Sequence, residues 1–331
     1  MIWLQFLATA LVIVVAGVRL ARYGDVLGEK SGLGRSWIGV VLLAATTSLP
    51  ELFTGFGATA LAGLPDIALG DVLGSCMFNL LILSLMDAVQ PEPISSRAHQ
   101  GHALSIGFGL VLIGVAGIGL AADHRLPAIG WIGVYSPVLM ALYFVAMRVI
   151  FTHERQRRAQ ETREVAEELQ YGDVTLRAAL VQYGLAAVAV VGAALWLPRL
   201  GAELARQTGL GEAFVGSLFI AITTSLPEIV VSLSAVRIGA VDLGIANVLG
   251  SNLFNMLVLG LDDVFYRKGP LLADAAASHT VSVGAIVVMN GLFLAGLTYK
   301  AMTKRFVVAW DTGAIAVVYV VAVALSYLLT A

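Results

Sequence analysis

"TTSLPE", Thr46–Glu51, recurs letter for letter at Thr223–Glu228, and each copy lies in a stretch that is otherwise almost wholly apolar. The similarity runs on beyond it. "DIALGDVLGSCMFNLLIL" (Asp66–Leu83) matches "DLGIANVLGSNLFNMLVL" (Asp242–Leu259). The first pair of motifs is offset by 177 residues and the second by 176, so one residue was lost between the blocks. Two polar motifs in the same order, twice, make the chain a duplication of one unit.

What surrounds the motifs fixes the class. The chain has 331 residues, 59% of them hydrophobic and 13% charged, against about 25% charge in a soluble domain. Apolar runs long enough to cross a bilayer recur along it, and we read ten spans: 2–20, 36–62, 66–86, 101–121, 127–149, 177–197, 210–236, 242–261, 279–298 and 308–330. The first has no basic stretch before it and no small-residue cleavage site after it, so it reads as a retained span. The single cysteine, Cys76, excludes an internal disulfide; the net charge of -2 averages over loops on both sides and says nothing about partners, and no nucleic-acid partner is expected.

Five spans per copy is an odd number, so the second copy must enter the membrane the other way up. The expected fold is all-α and integral to the membrane: ten transmembrane helices as two inverted five-helix repeats, with broken helices at the midplane. The expected units are 1–150, a charged linker 151–176, and 177–331. Of the 20 Lys and Arg, fifteen fall in or beside the loops after spans 1, 3, 5, 7 and 9. That bias puts those loops, with 151–176, in the cytoplasm and both termini outside. The location expected is the plasma membrane, the inner membrane in a Gram-negative cell.

The repeated motif then has a chemical reading. Pro50 and Pro227 lack an N–H, so the carbonyls of Thr46 and Thr223 lose their helical partners, and the kink loosens those of Thr47 and Thr224. Glu51 lies one turn beyond Thr47 on the same face, and Glu228 holds that relation to Thr224. Freed carbonyls, hydroxyls and a carboxylate together make a site for a hard cation. Asp71, Ser75 and Asn79 form a polar stripe on the third span, and Asn247, Ser251 and Asn255 its counterpart on the eighth. Gly70, Gly74, Ala246 and Gly250 allow helices to approach closely. A carboxylate inside a membrane costs about 2.5–3.5 kcal/mol on insertion scales, so Glu51, Asp71 and Glu228 call for a cation or protons. Ca²⁺, which takes about 6–8 oxygens, suits the inventory.

At these motifs the sequence resembles the Ca²⁺/cation antiporters, specifically the sodium/calcium exchanger branch. Its two repeats carry Thr-Ser-x-Pro-Glu followed by Asx-x-x-Gly-Ser-x-x-x-Asn, here "TTSLPE" with "DVLGSCMFN" and "TTSLPE" with "NVLGSNLFN". The resemblance implies exchange of Ca²⁺ for Na⁺ by alternating access. Glu51 and Glu228 would hold Ca²⁺ with the carbonyls of Thr47 and Thr224. Ser48, Ser225, Asp71 and Asn247 would help to hold Na⁺, and the first and sixth spans would slide over the rest. Two departures stand out. Many prokaryotic relatives have Asn first and Asp second, the reverse of Asp71 and Asn247. The segments Pro65–Asp71 and Asp242–Asn247 also lack the hydroxyl that some relatives place ahead of the Asx, which leaves Na⁺ and H⁺ both open as counter-ion.

Plainer readings stand beside these. The threonines at 46, 47, 223 and 224 can bond back to their own helices; Ser75, Asn79, Ser251 and Asn255 can serve packing; Cys76 can be a small filler. The five histidines read as solvated loop residues, and Asp262 and Asp263 as facing water at a helix end. The alternatives to Ca²⁺/Na⁺ exchange are a Ca²⁺/H⁺ antiporter, another divalent cargo such as Mn²⁺, a channel and, remotely, an intramembrane enzyme. No cofactor is expected beyond the transported ions, and no obligatory protein partner.

Overall fold

The computed structural model describes residues 2–30, 44–122, 125–161, 174–300, 303–304 and 306–330. Its long helices are α1 (Ile2–Lys30), α2 (Leu49–Phe56), α3 (Pro65–Ala88), α4 (His102–Ala122) and α5 (Tyr135–Glu161). They continue with α6 (Leu176–Thr208), α7 (Leu226–Arg237), α8 (Val241–Phe265), α9 (His279–Tyr299) and α10 (Trp310–Thr330). Eight helices among the described residues are long and apolar enough to cross a membrane. A ninth span is added by Glu212–Thr224 and Leu226–Arg237, bent by 46° where they meet. Of the expected second span, 36–43 lies outside the described residues; from Ala44 to Ala62 the chain is helical with a break at Ser48.

Two expectations need correction. The fifth span begins not at 127 but at Tyr135, because Ala128–Ile129 pairs antiparallel with Ile132–Gly133 in a small hairpin turning at Gly130, whose φ is 68°. Glycine adopts that left-handed backbone without strain. The sixth helix runs to Thr208, well past the expected 197. Its last turns carry Arg199, Glu203 and Arg206, charges that suit water beyond the apolar layer. The linker 151–176 begins as helix, since α5 reaches Glu161, and 162–173 is outside the described residues.

The helices divide by what they face. In α3 94% of the most apolar window is buried, and in α8 72%, whereas in α6 only 22% is. α3 and α8 are the core pair. α1 and α6 pack along one another and turn Leu4, Leu7, Leu11, Leu185 and Val188 outward, apolar side chains that lipid solvates at no cost. Small residues set the core spacing: a Cβ on Gly70 would meet the backbone of Gly216 and Ser217, and one on Gly74 the Ser217 carbonyl. α3 therefore lies directly on the π-helical turn Gly216–Ile220, which precedes the second TTSLPE copy; a separate π-helical turn, Gly57–Ala62, follows the first.

Both ends of the core helices are fixed by aspartates at equivalent positions. Asp66 accepts from the backbone N–H of Ala276 (2.6 Å) and lies 3.1 Å from His279 Nε2. Asp242 does the same with the N–H of His99 (2.8 Å) and with His102 Nε2 (2.8 Å). At the other ends, Asp87 accepts from the N–H groups of Ile94 and Ala309 and from the Thr312 hydroxyl (2.9, 2.6 and 2.8 Å). Asp263 accepts from Leu271 N–H, Gly133 N–H and the Ser136 hydroxyl (2.6, 2.8 and 2.5 Å). Each partner is displaced by 176 or 177 residues from its equivalent, so the duplication extends well past Leu83 and Leu259. The expectation that all five histidines and Asp263 face water is wrong at four places. His279 and Asp263 are buried, and His99 and His102 are partly buried. His153 is exposed as expected, and His124 lies outside the described residues.

Candidate cation site

The two TTSLPE copies adopt one geometry. The chain leaves helix at Ser48 (φ -88°, ψ 12°) and at Ser225 (φ -89°, ψ 6°), and a new helix starts with proline in its first turn each time. Proline fits there because the first-turn N–H groups have no partner within the helix. Glu51 and Glu228 fall in that first turn, where the helix dipole favours an anion. The breaks therefore supply both a backbone interruption and electrostatic support for the carboxylate behind it.

The halves meet reciprocally. Ser48 Oγ donates to Glu228 Oε1 at 3.1 Å, and Ser225 Oγ donates to Glu51 Oε1 at 3.0 Å. Ser251 Oγ also reaches Glu228 Oε1, at 3.4 Å. Asp71 Oδ1 accepts from Thr224 Oγ1 at 2.9 Å, and Ser75 Oγ lies 3.3 Å from the same hydroxyl. All of these residues are fully buried. Among the described residues Glu51 Oε2, Glu228 Oε2 and Asp71 Oδ2 have no hydrogen-bond partner. The three carboxylates lie close enough to repel one another, and a buried anionic oxygen without a partner is costly. A cation between them removes both penalties.

No three Asp, Glu, His or Cys side chains among the described residues converge on one point. A bound ion here would draw on carboxylates together with hydroxyls and carbonyls, the mixed oxygen set that Ca²⁺ and Na⁺ accept.

The other candidates divide. Thr47 Oγ1 bonds back to Ala44 O (3.0 Å) and lies 3.5 Å from Ser251 Oγ, at the edge of the centre. Thr224 bonds back to Ile220 and Ala221 while also holding Asp71. The Thr223 hydroxyl turns to Phe219 O (2.7 Å), and the Thr46 side chain lies beside Gly24 of α1, so neither hydroxyl enters the centre. Asn247 does not mirror Asp71: its Nδ2 donates to Ser232 Oγ at 3.2 Å, and its Oδ1 has no partner. Ser75 and Ser251 join the centre rather than serve packing alone. Asn79 instead bonds across to Asn252 (3.0 Å), whose amide holds the Cys76 carbonyl (3.2 Å).

A further residue was misread. Asp262, expected to face water, is fully buried with neither carboxylate oxygen partnered. Its place is over Gly55, where a Cβ would run into the carboxylate. The glycine one turn after Glu51 was the available signal.

A chain of membrane-crossing helices around a buried, unsatisfied carboxylate centre defines a membrane transport protein. The sodium/calcium exchanger protein family model matches residues 1–152 and 178–328, and the chain belongs to that family. It is 32% identical over 265 residues to the inner membrane protein YrbG of Escherichia coli (strain K12), covering 78% of this chain and 79% of that one. Among solved structures it resembles the H⁺/Ca²⁺ exchanger CAX (TM-score 0.71, 15% identity, 99% of this chain and 86% of that one). It also resembles the sodium-calcium exchanger NCX_Mj (TM-score 0.64, 21% identity, 98% and 99%). The family is one of transporters, which removes the intramembrane-enzyme alternative.

Proposed function

We propose that this protein is a secondary antiporter that carries Ca²⁺ against Na⁺, with Glu51 and Glu228 as the paired ligands of a central site. The observation that carries the reading is the reciprocal pair Ser48–Glu228 and Ser225–Glu51, each carboxylate keeping one buried oxygen free. Thr47 and Thr224 contribute carbonyls, as would Thr46 and Thr223 behind the prolines. Ser48, Ser225, Asp71 and Asn247 supply the oxygens for the counter-ion. The transported ions are the only small molecules required.

The architecture that fits is the ten-helix one, two inverted five-helix repeats over 1–150 and 177–331 joined by a cytoplasmic linker at 151–176. The two matched segments, 1–152 and 178–328, support it, as do the braces repeated at a constant offset. Both termini then face outward, and the likeness to an inner membrane protein supports residence in that membrane. Alternating access would come from α1 and α6, which pack on one another.

H⁺ in place of Na⁺ is the second reading, and a specific feature favours it: neither Pro65–Asp71 nor Asp242–Asn247 offers a hydroxyl ahead of the Asx position. Ca²⁺ uptake into proteoliposomes separates the two. Vesicles loaded with Na⁺ are compared, at matched membrane potential, with vesicles carrying only a pH gradient. Uptake that follows outward Na⁺ supports the first reading, and uptake that needs only the pH gradient replaces it with the second. Competition by Mn²⁺ in the same assay fixes the divalent cargo.

A further inference from the structure

Asp262 has no role in the centre described above, and its surroundings give it none in holding the fold. The carboxylate next to it, Asp263, takes hydrogen bonds from Gly133, Tyr135, Ser136 and Leu271. Asp262 is as deeply buried, yet both its oxygens lack partners. It reaches into the space left by Gly55, which follows Glu51 by four residues and so shares its face of α2. Asp71 lies within electrostatic reach of Asp262 on one side and of Glu51 on the other. Thr54, beside Gly55, holds a further buried hydroxyl without a partner.

The opposite half is built differently at the equivalent places. The counterpart of Gly55 is Ser232, whose hydroxyl is occupied by Asn247. The counterpart of Asp262 is Met86, whose thioether end lies near Gly244 and the Ser232 carbonyl. One flank of the centre thus carries Asp262, with both oxygens unpartnered, and Asp71, with one, and the other flank a neutral hydrogen bond and a methionine.

We propose that Asp262 and Asp71 form a second cation station, one helical turn from Glu51 on a single flank of the centre. An ion entering or leaving by that flank is held there by carboxylate oxygens. The proposal rests on the reading of Glu51 and Glu228 as the central site, but it makes a separate prediction. With the central pair neutralised, the station remains as a weak divalent-cation site.

The test is equilibrium Ca²⁺ binding to the purified full-length protein, by titration calorimetry. Loss of tight binding in the Glu51→Gln/Glu228→Gln variant tests the central site. What that variant retains tests the station. We expect it to keep one weak Ca²⁺, abolished when Asp262→Asn is added, while Asp262→Asn alone leaves the tight site saturable and so reports an intact fold. Gly55→Ser, which fills the space with the other half's residue and leaves Asp262 in place, removes the weak site in the same background. The station is overturned if the doubly neutralised protein binds no Ca²⁺, or if its remaining binding is unchanged by Asp262→Asn.

Discussion

Ser48 and Glu228, 180 positions apart, are joined by a 3.1 Å hydrogen bond at the centre of the molecule, and the equivalent residues Ser225 and Glu51 repeat it at 3.0 Å. Each carboxylate is held by a hydroxyl from the break in the other copy. The free oxygen on each glutamate is thereby fixed in direction, which preorganises the pair for a shared ion.

Neutralising either glutamate removes charge without changing shape. Glu51→Gln and Glu228→Gln are each expected to bring Ca²⁺ flux in proteoliposomes to background while the purified protein stays monodisperse. Full flux in either variant would remove the central-site assignment.

The serines hold the carboxylates in place. Ser48→Ala and Ser225→Ala each strip a buried charged acceptor of a donor, at a cost of about 1.5–3 kcal/mol. Thermal unfolding should show the larger loss for Ser225→Ala, because Ser251 still reaches Glu228 Oε1 when the Ser48 hydroxyl is removed, whereas Glu51 keeps no other side-chain donor among the described residues. Equal losses would mean that the Ser251 hydroxyl does not take over.

Asp71 and Asn247 occupy equivalent positions but have different partners, Thr224 and Ser232. Either partner hydroxyl can donate to a carboxylate. The double variant Asp71→Asn/Asn247→Asp should therefore retain more transport than Asp71→Asn alone. Equal loss would show that the acidic group works only in the first copy.

Much of this was legible in the sequence, for a physical reason. A proline followed by a carboxylate within an apolar helix has few structural uses, so "TTSLPE" identified the breaks and the glutamates directly. The braces were not legible. Asp66 finds His279 across 213 positions, and a lone histidine near a helix end carries no sign of such a partner. Asp262 and Asp263 looked alike as a polar pair ending a helix. Their fates were decided by neighbours brought from afar: converging N–H and O–H groups for one, the gap at Gly55 for the other.

That contrast is testable through stability. Asp263→Asn turns one oxygen acceptor into a donor amide facing N–H and O–H groups, and it should lower stability by about 3 kcal/mol. Asp262→Asn breaks no hydrogen bond among the described residues and should leave thermal unfolding within experimental scatter of the parent. A large loss in the second variant would give Asp262 a structural part.

The reciprocal bonds also govern how the chain is made. Synthesis delivers the first copy to the membrane while Ser225, His279 and Thr312 are still unmade, so Glu51 and Asp66 wait there without the side-chain partners they have in the finished protein, and Asp87 with the Ile94 N–H but not the Thr312 hydroxyl. Buried polar groups in lipid do not stay unpaired cheaply. The first five helices must therefore remain loosely assembled, with water or insertion machinery at those carboxylates, until the second copy emerges and the two lock together in one late step.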